Sequence, residues 1–227
     1  HGFGCKVNGL LMGGFGRAEV FSFHATKVMS TAEGGCVTTN DEDLAERLRN
    51  IRSSYGVRRT IPVDRTANGR MSEAQAAIGL LSLQAIDSIM ERNRKLHEAY
   101  RHGLSGIQGL TVLTPSNVDF SNYQYLVCEI DQEEFGLSRD GLHRALQAEN
   151  INVRKYFTPR AHRCPPFDTI FPAYRDTLPE TDRICARVLQ FPLGARVDAA
   201  AVSRICGKTR LIRHYADKVR EHVEPYE

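Results

Sequence analysis

The chain has 227 residues, ordinary apolar and charged fractions and a formal net charge of +3. That length fits one large or two small domains with a packed core, and so mild a charge gives no reason to expect nucleic acid or a membrane as partner. No apolar run is long enough to span a bilayer, and the six scattered cysteines, with no CxxC pair, read as reduced thiols of a cytoplasmic protein.

The chain opens on His1-Gly2-Phe3-Gly4-Cys5, without an initiator methionine or a signal peptide. Glycines recur through residue 16, which reads as loop and turn, and no Gly-Lys-Ser/Thr ending marks a nucleotide P-loop. Glu19 to Phe23 reads as a short buried strand that delivers Lys27 into a small, polar turn ending in Glu33-Gly34-Gly35. Gly35 to Thr39, with its Val and Thr, reads as a returning strand. A lysine at the end of a buried strand is costly, because desolvation disfavours the ammonium and leaves a nucleophilic amine; the same pattern also fits a surface lysine after an edge strand.

Asn40 or Asp41 caps a helix that carries Leu44, Leu48 and Ile51 at helical spacing to about Ser53. Tyr55 to Ala67 is irregular and basic (Arg58, Arg59, Arg65), a solvated loop or a contact for a phosphorylated substrate. Met71 to Ser82 is a helix of small residues suited to close packing at a subunit or domain interface. Ala85 to His102 is a long helix with Ile86, Ile89, Leu96 and Tyr100 facing inward.

Strands then follow at 110–113, 123–130 and 153–157, with a helix capped by Ser138 running to Glu149. The proline-bearing stretch Thr158 to Thr177 has the length of a functional or mobile loop. It contains His162 and Cys164, which have no second ligand pair and so predict no metal site. A helix at 180–189, a short extended piece at 190–193 and a helical pattern from Asp198 to His222, broken at Gly207, complete an α/β plan.

Ser22-Phe23-His24-Ala25-Thr26-Lys27 with Glu33-Gly34-Gly35, and then Asn68-Gly69-Arg70-Met71-Ser72-Glu73-Ala74-Gln75, resemble two signatures of the DegT/DnrJ/EryC1/StrS family. A weaker likeness extends to Phe191-Pro192-Leu193. These are sugar aminotransferases dependent on pyridoxal phosphate. The resemblance implies a partial fold type I (aspartate-aminotransferase-like) α/β architecture. Residues 1–84 would be the C-terminal part of the large cofactor domain, 85–105 a linking helix and 106–227 a small C-terminal domain.

It implies that Lys27 is the Schiff-base lysine and that Ser22 donates to the cofactor phosphate. Asn68 would reach the phosphate in a neighbouring subunit, which requires a homodimer with shared active sites. His1 would lie beside the phenolic oxygen, and His24 would pack near the lysine without acting as a base. Arg154, Tyr156 and His162 would approach the nucleotide-sugar. Family members begin this region with a strand ending in Asp-Ala-Ala, so the acid that faces the pyridine nitrogen would precede His1. The implied reaction moves an amino group from an amino acid, usually L-glutamate, to a nucleotide-linked keto-deoxysugar. Two alternatives stay open here: a non-catalytic fragment, or a sugar dehydratase or isomerase on the same scaffold. Dehydratases of the family have histidine in place of the lysine, and this sequence keeps Lys27.

Overall fold

In the computed structural model, residues 1–53 and 59–223 are described; Arg58, one of the loop arginines named above, lies outside them. The chain divides into two compact units. The first is 1–92 with 115–124, and the second is 93–114 with 125–227.

The first unit starts with a two-residue hairpin, β1 (Lys6–Val7) and β2 (Leu10–Leu11). A second hairpin joins β3 (Glu19–Ser22) to β4 (Gly35–Thr38), antiparallel, with Ser22 opposite Gly35 and Phe21 opposite Cys36. The expected buried strand is buried on one face only. Phe21 points inward while Val20 is 76% exposed, the alternation of a sheet covered on one side. The inward face packs Phe21, Phe23 and Met29. Phe3 wedges edge-on against Phe21 and Phe23, with ring centres 5.6 and 5.7 Å away.

Helix α1 (Glu42–Arg52) starts at Asp41, whose carboxylate accepts from Leu44 N and relieves one orphan donor of the first turn. Helix α2 (Glu73–Gln84) opens on a full capping box between Ser72 and Gln75, a motif whose loss costs about 1 kcal/mol. Its small residues have a local purpose. A Cβ at Gly79 would sit 2.8 Å from Thr31 Cγ2, so only glycine lets the helix close on the loop that carries Lys27. Leu80, Leu81 and Leu83 are exposed. Helix α3 (Ile86–Leu104) follows at once, and the boundary between the units falls within it, after Arg92.

The second unit holds an antiparallel sheet in the order β5 (Leu110–Val112), β6 (Leu126–Ile130), β7 (Val188–Phe191). Around it lie α4 (Gln132–Phe135), α5 (Arg139–Ala148, capped by Ser138), α6 (Phe167–Ile170) and α7 (Pro179–Arg187). Helices α8 (Ala199–His214) and α9 (Ala216–Val223) close the chain. The core gathers Tyr100, Leu126, Cys128, Phe135, Leu142, Leu146, Leu189 and Phe191. Tyr100 keeps its hydroxyl satisfied by donating to the Pro192 carbonyl at 2.9 Å. Buried Arg139 donates to the carbonyls of Cys185 and Val188, joining α5 to the junction of α7 and β7. Burial pushes the Cys128 thiol up, and the Cys206 thiol up to about 11, so both are inert core groups.

The structure corrects four sequence expectations. The strand at 153–157 is a single bridge, Arg154 to Gln190. The strand expected from Tyr123 begins at Leu126, because Tyr123 has φ +51°, a left-handed conformation that a strand cannot include. The helix placed at 180–189 ends at Arg187, where the chain passes directly into β7. The terminal helix runs through Gly207 and breaks at Tyr215. Among the described residues no helix is long and apolar enough to cross a membrane.

Candidate active site

The β3–β4 hairpin is held to a close approach at its loop end. Phe23 N donates to the Gly34 carbonyl at 2.8 Å. A Cβ at Gly35 would lie 2.5 Å from the Phe21 carbonyl oxygen. The intervening loop folds back on itself, with Lys27 N donating to the His24 carbonyl and Thr31 N to the Phe23 carbonyl, both at 2.9 Å. Gln75 of the α2 capping box donates through Nε2 to the Glu33 carbonyl, so the second sequence signature physically braces the first. Ser82 Oγ accepts from Ser30 N on the same helix face.

Lys27 emerges from this loop half-buried, less enclosed than a lysine at the end of a buried strand would be. Its Nζ lies 2.5 Å from His1 Nε2. In such a contact one nitrogen donates and the other accepts through its lone pair. His24 lies three residues before Lys27 in the same loop. It is exposed, its Nδ1 accepts from Thr26 N at 3.2 Å, and its Nε2 faces Glu33 Oε1 at 3.5 Å. Those contacts assign the proton of the neutral ring to Nε2. The Ser22 hydroxyl is exposed and accepts from His24 N at 3.4 Å, which leaves its O–H to donate.

Asn68 is exposed, and its neighbours are fixed. Ala67 N and Gly69 N donate to the carbonyls of Ile51 and Arg52 at the end of α1. Ala67 and Gly69 also line an apolar cleft of about 570 Å³ between α1 and the outward face of the hairpin.

Two residues that sequence reasoning missed join this site. Gln124 Oε1 accepts from the amide of Val28, directly after Lys27, at 3.4 Å. Its Nε2 is buried with no acceptor among the described residues. Asn122 Nδ2 donates to the carbonyls of His1 and Phe3 at 2.7 and 2.9 Å. The only hint in the sequence was a pair of amides at 122 and 124 ahead of an alternating apolar run.

These features fit pyridoxal phosphate. The cofactor needs an amine for its aldehyde and uncharged donors for its oxygens. The site offers Lys27 Nζ, the His1 ring, the Ser22 hydroxyl and a buried amide N–H₂ without an acceptor. Among the described residues no three of His, Cys, Asp or Glu converge as metal ligands.

The remaining three sequence candidates belong to the second unit. Arg154 is exposed and donates to the Tyr156 hydroxyl at 3.1 Å. Tyr156 stacks on exposed Phe157 at 4.6 Å between ring centres and meets Tyr125 edge-on. The His162 side chain is only 8% exposed and lies 3.2 Å from Asp182. Asp182 also takes Arg160 at 2.9 Å and Arg163 at 2.7 Å, so His162 is part of a loop staple.

The hydrogen bond from Arg163 leads the charges that hold the Asp182 carboxyl below its ordinary range. A lowered carboxylate stabilises the fold fully above its unfolded value of about 4, and the gain is lost as pH falls below that. Asp182→Asn is therefore expected to lower amide-exchange protection across 160–176 at neutral pH. It should also abolish the further loss that the wild type shows as pH falls below about 4. Unchanged protection would mean that the staple does not order the loop.

A profile of the DegT/DnrJ/EryC1/StrS aminotransferase family matches residues 1–210. A dTDP-4-amino-4,6-dideoxy-D-glucose transaminase from Shigella dysenteriae is 35% identical over 159 residues, 70% of this chain and 43% of that protein. A GDP-perosamine synthase from Vibrio cholerae is 33% identical over 206 residues, 89% and 54% of the two chains. The crystal structure of DesI in the presence of its TDP-sugar product superposes with TM-score 0.86 at 37% identity, covering 96% of this chain and 55% of that one. The chain spans about half the length of the curated relatives it matches.

Proposed function

Because the chain belongs to the DegT/DnrJ/EryC1/StrS aminotransferase family, we propose that it carries the Lys27 site of an enzyme that transfers an amino group from L-glutamate to the keto carbon of a nucleotide-linked deoxysugar, with pyridoxal phosphate as cofactor. The observation that carries this reading is Lys27 Nζ against His1 Nε2 at the mouth of a glycine-closed hairpin. The sugar class comes from the relatives, a dideoxyglucose transaminase and a perosamine synthase.

Pyridoxal phosphate, when bound, supplies the electron sink that lets an amino group leave one carbon and join another. Lys27 Nζ holds the group and takes and returns the proton at the amino-bearing carbon of the substrate, a task for an amine that can be neutral. His1 Nε2, within hydrogen-bond reach of that amine, orients it. The Ser22 hydroxyl and the Asn68 amide are uncharged donors suited to phosphate oxygens, with Asn68 acting from a second copy of the chain. Arg154 and Tyr156 are the proposed contacts to the nucleotide-sugar, the guanidinium for its diphosphate. His162, committed to Asp182, would serve there by shaping the loop. Residues 1–84, 85–105 and 106–227 remain the proposed cofactor region, linking helix and small domain, in a cytoplasmic enzyme.

With L-glutamate and a nucleotide-linked 4-keto-6-deoxysugar, the protein is expected to release 2-oxoglutarate in step with amino-sugar. Loss of the sugar hydroxyl without 2-oxoglutarate would favour a dehydratase instead. The shared site has its own test. Lys27→Ala and Asn68→Ala homodimers are each expected to be nearly inactive. Mixed after unfolding, half of the dimers would hold one intact site, restoring about a quarter of wild-type activity. No recovery would place Asn68 in its own subunit's site or outside the chemistry.

A further inference from the structure

We infer that Asn122 and Gln124 form a two-point clamp that holds His1 and Lys27 against each other, making them positioning residues for the reactive amine. The inference rests on Lys27 being that amine, as proposed above. His1 and Lys27 are far apart in sequence, and no secondary-structure pairing joins them. β3 pairs with β4, while β1 pairs with β2 and, through a single bridge at Lys6, with Phe120. The Phe3 ring packs one segment on the other, and a third segment adds polar tethers to both.

Residues 121–124 are that segment. The Asn122 side chain reaches toward His1, donating to the His1 and Phe3 carbonyls. Its backbone N–H points to Cys5 Sγ at 3.3 Å. The Gln124 side chain reaches toward Lys27, accepting from Val28 N. The two halves are tied together because Gln124 N donates to Asn122 Oδ1 at 3.0 Å. Between them Tyr123 adopts φ +51°, a conformation uncommon for a tyrosine, and Ser121 Oγ accepts from its N–H at 3.1 Å. A left-handed tyrosine persists only where its surroundings over-determine it, and here it turns the two amide side chains toward different partners. Asn122 is 4% exposed, so the segment is packed in place.

The orientation of the Gln124 amide follows from chemistry. Flipping it would set N–H₂ against the Val28 N–H, two donors face to face. The oxygen therefore faces the backbone of Lys27's neighbour. Gln124→Glu keeps that oxygen and Gln124→Leu removes it, so the pair separates the clamp from side-chain volume. Asn122→Ser shortens the other arm and is a second, milder variant.

The readout is modification of Lys27 by an amine-reactive acylating reagent in the cofactor-free protein, followed by mass spectrometry. Exposed Lys95 serves as internal reference. Gln124→Leu and Asn122→Ser are expected to raise the Lys27-to-Lys95 labelling ratio by about threefold or more, as local opening frees the amine. Gln124→Glu should restore the ratio to near wild type. In the enzyme, Gln124→Leu is expected to lower kcat by about tenfold or more with KM nearly unchanged, since a misplaced reactive group costs turnover before binding. An unchanged labelling ratio in both Gln124→Leu and Asn122→Ser overturns the clamp. If the wild type fails to transaminate while the labelling contrast stands, the functional reading fails and the clamp survives.

Discussion

Lys27→Ala is expected to reduce amino transfer by at least about 10³-fold, equal to roughly 4 kcal/mol of transition-state stabilisation. The same variant should lose the visible absorption band that pyridoxal phosphate gives when joined to a lysine. The size follows from the number of tasks placed on one amine. In the proposed function it would hold the cofactor's aldehyde carbon and move the substrate proton, and residues that act as a unit fail together. Lys27→Arg separates charge from chemistry. It keeps the cation and most of the length, but a guanidinium does not deprotonate, so it should be as inactive as alanine. Both variants should fold normally. Lys27 is half-buried, and the hairpin is held by backbone hydrogen bonds and the Phe3–Phe21–Phe23 contact. Activity in Lys27→Arg within about tenfold of wild type would remove Lys27 from the chemistry.

Gly35→Ala is expected to be a damaging single methyl in the site. Its Cβ would sit 2.5 Å from the Phe21 carbonyl oxygen, a backbone atom that cannot swing aside. Relief requires the strands to separate at the Ser22–Gly35 pair, the end of the hairpin from which Lys27 departs. Overpacking of this kind costs about 1–3 kcal/mol, and for a chain of this size Tm falls about 2–4 °C for each kcal/mol. Affinity for pyridoxal phosphate should fall with it, because Ser22 and Lys27 move together. Gly207→Ala is the control. A Cβ there meets nothing within 4 Å and lies inside α8. Alanine should be neutral or stabilise by up to about 1 kcal/mol, through helix propensity. Equal thermal shifts in the two variants would mean that the close approach at Gly35 is not the source of the effect.

The contrast between these glycines shows what could be read before any coordinates. The Ser22–Lys27 stretch and the Gly34-Gly35 turn were legible because a lysine hairpin is a local object: strand, tight loop and strand lie within twenty residues of sequence. The Asp41 and Ser138 caps were legible for the same reason. Gly207 was misjudged because a glycine's helix penalty is small beside the burial of Ile205, Cys206, Thr209 and Ile212 on the same helix. The strand at 153–157 was misjudged because its β-prone residues find only Gln190 opposite them, and partner supply is set by the fold, not by propensity.

Asn122 and Gln124 were not legible at all. They reach His1 and Val28 across 121 and 96 positions of sequence. No local pattern distinguishes an amide that turns toward a lysine loop from one that begins a strand. His162 shows the reverse failure. The histidine was visible, but the aspartate that claims it lies across a proline-rich loop.

The most direct test of the account is to add pyridoxal phosphate to the protein, reduce with borohydride and map the modified residue by mass spectrometry. The account predicts a phosphopyridoxyl group on Lys27, absent from that position in Lys27→Ala. Stoichiometric modification of Lys6 or Lys95 with Lys27 unmodified would contradict it.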